Sequence, residues 1–111
     1  MKLKFVLLTA ALIAASTQNA VADRIDGTWC SPDGKSVSID GRNVVTSRGN
    51  AVDANYNRHH IDYIIPAGEP DEGGVFRADQ LNDNQISVVL IGAGGGSKSN
   101  PEIWTPCKPV S

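Results

Sequence analysis

Ser31-Pro-Asp-Gly-Lys-Ser-Val-Ser-Ile-Asp-Gly-Arg-Asn-Val-Val-Thr46 contains two Asp-Gly pairs, at 33–34 and 40–41, flanking a run in which apolar and polar residues alternate. Asp-Gly is a strong hairpin signal, because glycine takes the positive φ that a tight turn between antiparallel strands requires. Between the pairs, Val37 and Ile39 fall on one side and Ser36 and Ser38 on the other, the period of two expected of a half-buried strand. Further turn signals recur along the chain, at 47–50, 66–74, 82–84 and 92–101, and separate short segments rich in Val, Ile, Tyr and Trp. Strands are expected near 25–30, 35–39, 43–46, 57–65, 74–81, 85–91 and 102–107. No segment carries a 3.6-residue apolar period. The fold class is therefore all-β: an antiparallel up-and-down barrel or sandwich of seven or eight short strands.

Alternation also assigns the faces. In 57–65, Ile61, Tyr63 and Ile65 form an apolar side, opposite Arg58, His60 and Asp62. In 85–91, Ile86, Val88 and Leu90 face one way and Val89 and Ile91 the other, which suits a central strand. On the first strand Trp29 and Cys30 face opposite sides, and on the last so do Trp104 and Cys107. One arrangement satisfies both pairs. Both tryptophans point inward, and a Cys30–Cys107 disulfide joins the terminal strands outside, closing the sheet and removing its exposed edges. The C-x-x-C spacing of a redox pair is absent, so the bond is expected to be structural.

The chain has 111 residues, which limits it to one domain. Met1 to Lys4 is a short cationic start, followed by an apolar run from Phe5 to Ala15 and an A-x-A site at Ala20-Val21-Ala22. This is the pattern of a cleaved signal peptide over 1–22, with a single domain over 23–111 and an expected destination outside the cytoplasm, periplasmic or secreted. The apolar run is too short to span a bilayer, and no later run is longer, so no stable membrane insertion of the mature chain is expected. Past the leader, 8 Lys and Arg stand against 12 Asp and Glu, an acidic balance that argues against nucleic acid as a partner.

Gly27-Thr28-Trp29 on the first expected strand resembles the G-x-W signature of lipocalin-like barrels, in which the tryptophan plugs one end. The resemblance covers three residues, the all-β order and the pairing of terminal strands. It implies a small up-and-down barrel of the bacterial cell envelope, and it carries over no ligand.

Arg58-His59-His60-Ile61-Asp62 is the densest group of functional side chains. His60 beside Asp62 is a candidate oriented imidazole, suited to base chemistry or metal ligation. Yet no free cysteine supplies a nucleophile, no serine lies in an activating motif, and zinc needs three or four ligands. Gly92 to Ser99 imitates a phosphate-binding loop, but Ser97 replaces its second glycine and Asn100-Pro101 stands where a helix must begin. Asp53 to Asn57 imitates an EF-hand start, with Arg58 and Ile64 where glycine and glutamate belong. Glu69-Pro-Asp-Glu72 places three carboxylates in one loop, expected to be solvated. Side chains are expected to fill so short a barrel, leaving a shallow site at the open rim lined by Tyr56, Tyr63 or His59.

These residues point to an exported, non-catalytic binding or interaction module with no cofactor and no metal. Its candidate surface comprises Tyr56, Arg58, His59, His60, Asp62 and Tyr63, and its partner is a protein or a small molecule. The alternatives are a carrier of a small apolar ligand, an inhibitor of a hydrolase, and a hydrolase or metal-dependent enzyme centred on His60 and Asp62.

Overall fold

The computed structural model describes residues 24–108. The leader assigned to residues 1–22 lies outside the described residues. Among the described residues, nine antiparallel strands follow one another: β1 (Gly27–Cys30), β2 (Ser36–Asp40), β3 (Asn43–Val45), β4 (Ala51–Asp53), β5 (Asn55–Asn57), β6 (His60–Ile64), β7 (Val75–Asn82), β8 (Gln85–Ile91) and β9 (Glu102–Pro106). Their order in the sheet is β4-β3-β2-β1-β9-β8-β7-β6-β5. The chain thus runs up and down, and its first and last strands pair. The two ends of that order, β4 and β5, are joined in the chain by Ala54 alone. The sheet therefore curls into a nearly closed barrel. Ala54 is buried, and its N–H donates to the Arg42 carbonyl at 2.8 Å.

The Asp-Gly turns form as expected, with Gly34 at φ 95° and Gly41 at φ 59°. One expected strand does not. The run 57–65 breaks at a two-residue turn, Arg58 and His59, because Asn57 pairs with His60 across it. The turn contains no glycine and no positive φ. It is held instead by an Asx contact, the His59 N–H donating to Asn57 Oδ1 at 2.9 Å. Arg58 consequently leaves the face it was expected to share with His60 and Asp62. The residues before the turn are strands β4 and β5.

The inward faces agree with the alternation. Val37, Ile39, Ile61, Tyr63, Ile65, Phe76, Ala78, Ile86, Val88, Trp29 and Trp104 are all buried. Registers align them in layers, Ile61 with Ala78 and Val88, and Tyr63 with Phe76 and Leu90. Each large aliphatic side chain removed from water contributes about 1.5–3 kcal/mol. The seam between the terminal strands is thin by comparison. β1 and β9 share two register pairs, Trp29 with Pro106 and Cys30 with Thr105, where β7 and β8 share seven. Pro106 has no N–H to give. The expected disulfide lies at this seam, with Cys30 and Cys107 Cα atoms 4.9 Å apart.

One end of the barrel is sealed. Residues 24–26 cross beneath it, where Ile25 is fully buried and its N–H donates to the Arg58 carbonyl at 2.8 Å. Trp29 Nε1–H donates to the Ile25 carbonyl at 2.8 Å, tying this segment to the core. Asp26 adds two contacts, accepting from the Gly41 N–H at 2.8 Å and from the Tyr56 hydroxyl. The hairpin loops 31–35, 46–50, 65–74 and 92–101 all lie at the other end, which is open.

Candidate functional site

The open end holds a cavity of about 380 Å³. That is within the range of about 300–1,000 Å³ usual for small-molecule sites. Its floor is aromatic because inward positions of β6, β7 and β9 carry Tyr63, Phe76 and Trp104, the first two as register partners. Tyr63 and Phe76 stack with centroids 4.9 Å apart and planes inclined by 14°, and Trp104 meets Phe76 edge-on at 5.7 Å. Ile65, Val88 and Leu90 form apolar walls. The barrel is therefore not filled by its own side chains, as its short strands had suggested.

The mouth is polar and built from loops. Glu69, in the loop after β6, reaches across to the β3–β4 hairpin, where its Oε2 accepts from Thr46 Oγ1 and Asn50 Nδ2, both at 2.6 Å. Thr46 is itself buried and also accepts from the Asn50 N–H at 3.2 Å. This pin spans the part of the wall where β4 pairs only with β3 and the pairing of β6 with β5 has ended at Asp62. Glu72 Oε1 accepts from the Gly68 N–H at 3.0 Å. Of the three carboxylates expected to be solvated, Glu69 instead pins its loop to the β3–β4 hairpin, while Glu72 stays exposed and holds its own loop. Lys35, Arg48, Asp71 and Glu102 complete the rim. Burial pushes the Tyr63 phenol well above its ordinary pKa, and the nearby Glu69 charge adds to the effect. The group remains a neutral hydroxyl.

No protein-family model, no curated protein and no solved structure matches this chain. The candidate residues from the sequence divide into three places. Tyr63 lines the cavity. Tyr56 and His59 do not: they stand at the sealed end, Tyr56 on Asp26 and His59 Nδ1 3.0 Å from Gln80 Oε1. His60 and Asp62 are on the outer face of β6 beside β5 and β7.

That outer face is a connected polar network. His60 Nε2 lies 2.7 Å from Asp62 Oδ2, and His60 Nδ1 lies 2.6 Å from Asp79 Oδ1. Asn55 Nδ2 donates to the other Asp62 oxygen at 2.7 Å. Partial burial works to lower the imidazole pKa, but the bonds to Asp62 and Asp79 outweigh it and the value is raised. For Asp62, burial works upward and the bonds from Asn55 and His60 prevail, lowering it. With both ring nitrogens engaged, His60 has no lone pair to offer a nucleophile's proton or a metal. Among the described residues no group of three or more His, Cys, Asp or Glu side chains is arranged to hold a metal ion.

Phe76, Trp104, Glu69 and Thr46 were not among the candidate site residues read from the sequence. The inward alternation marked Phe76 and Trp104 as core, which is also what a cavity floor looks like in one dimension. The contact between Glu69 and Thr46 spans 23 positions and has no local signal.

Proposed function

We propose that the chain is an exported, non-catalytic binding module that takes a small molecule into the open end of its barrel. The observation that carries this is the cavity of about 380 Å³ with an aromatic floor, set above an end sealed by Ile25 and Trp29. Apolar walls with a few converging polar groups are the usual make-up of such sites. The Gly27-Thr28-Trp29 resemblance to lipocalin-like barrels supports the same reading, with Trp29 buried at the sealed end. The leader-like pattern over 1–22 supports export. Chemistry at His60 is disfavoured by the two carboxylates that already occupy its ring nitrogens.

Native mass spectrometry of the protein purified from its own host tests the proposal. The expected spectrum carries extra mass that denaturation releases. A bare chain, together with a Trp104 indole resonance that small apolar aromatic compounds leave unmoved, would overturn it.

A further inference from the structure

Tyr63 is more than nine-tenths buried, at 7% exposure, and it lines the cavity. Its hydroxyl has no hydrogen-bond partner among the described residues. Burying an unpaired hydroxyl is unfavourable, and phenylalanine would fill the same space against Phe76 without that cost. The other polar group of the floor is already satisfied, since Trp104 Nε1–H donates to Glu102 Oε1 at 2.8 Å. The floor therefore offers one hydrogen-bonding atom to whatever enters.

Charge restricts what that atom pairs with. Glu69 is held in place by Thr46 and Asn50, and its charge is felt at the phenol. A carboxylate brought to Tyr63 would lose its hydration in a mostly apolar space and face the Glu69 charge. Lys35 and Arg48 are exposed on the rim, and Lys35 already lies 3.7 Å from Asp33. A neutral oxygen meets none of these costs. Flat aromatic faces at the floor favour a planar occupant, because offset and edge-on ring contacts add to simple burial.

Resting on the binding function above, we propose that the occupant is a flat, uncharged molecule whose apolar ring lies against Phe76 and Trp104 and whose neutral oxygen accepts a hydrogen bond from the Tyr63 hydroxyl. Anionic amphiphiles are selected against at the same site.

Three probes of similar shape test this: naphthalene, 2-acetylnaphthalene and 2-naphthoate. Each is titrated into the disulfide-intact protein while the two indole N–H resonances are followed by NMR. Trp104 reports on the cavity and Trp29 on the sealed end. The expected result is a shift at Trp104 alone, with 2-acetylnaphthalene binding about tenfold more tightly than naphthalene and 2-naphthoate no more tightly. Tyr63→Phe should abolish the advantage of 2-acetylnaphthalene over naphthalene, and an unmoved Trp29 indole resonance at the sealed end shows that the variant is folded. If the advantage survives in Tyr63→Phe, or if 2-naphthoate binds most tightly, the Tyr63 assignment is wrong while the cavity remains a binding site. If none of the probes moves the Trp104 resonance, both the assignment and the binding function fall.

Discussion

Replacing both Cys30 and Cys107 with serine removes the covalent tie across the thinly paired seam between the first and last strands. The bond closes a loop with a sequence separation of 77 residues. In the chain-entropy model a loop of that size is worth about 4.5 kcal/mol, acting on the unfolded chain. Folded contacts at the seam are poorly placed to make up the loss. β1 and β9 share two register pairs, one of them at Pro106, and the Cys107 N–H to Thr28 carbonyl bond beyond them is 3.1 Å long. A domain of this size has a total stability of about 5–15 kcal/mol, so the bond is a large share of it. Urea unfolding followed by tryptophan fluorescence measures the effect, since Trp29 and Trp104 sit on the two strands concerned. With a slope of about 2 kcal/mol/M, the midpoint should fall by about 2 M. A fall of less than about 0.5 M would refute the reasoning, because the seam would then hold without its staple.

Three further outcomes follow from individual contacts. The His60 imidazole is held above its ordinary pKa of about 6.5 in the folded chain. Its contribution is therefore full below about pH 6.5 and is lost as pH rises through the folded value. Urea midpoints should accordingly drop between pH 6 and pH 9, and His60→Gln should flatten that drop; equal slopes in the two proteins would contradict the ion-pair network. Gly74 is buried, and a Cβ there would collide with the Ile91 carbonyl oxygen, so Gly74→Ala should cost about 1–3 kcal/mol. Gly96→Ala, where nothing lies within 4 Å of the added carbon, should change stability by less than about 0.5 kcal/mol under the same denaturation assay. Ile25→Ala should cost about 2–5 kcal/mol, since the side chain is fully buried beneath the barrel and its truncation opens a cavity there.

The strand faces were legible because burial on one side of a sheet writes a period of two into the sequence. Val37 and Ile39, Phe76 and Ala78, and Ile86 and Val88 are buried as that period requires. The same reading misled at 57–65, where the alternation that begins at His60 was extended back over four consecutive polar residues, Asn57 to His60, that contain the Arg58–His59 turn. The turn's local mark was Asn57, whose side chain holds the turn by an Asx contact where other turns rely on a glycine at positive φ. Of the candidate surface, the His60 and Asp62 pairing was readable, two positions apart on one strand. Asp79, which completes it, arrives from β7 and gives no sign in the local sequence.

By itself the sequence determined the architecture: which side chains point inward, where most turns fall, and which cysteines meet. These depend on neighbours a few residues apart or on the parity of positions along a strand. Tertiary structure alone decided that one end of the barrel is sealed and the other open. Residues 24–26 fold under the sheet, Glu69 crosses to Thr46, and the buried Tyr63 comes to line the cavity. Each of these rests on contacts between segments far apart in the chain, where no local pattern records which side chain will find which partner.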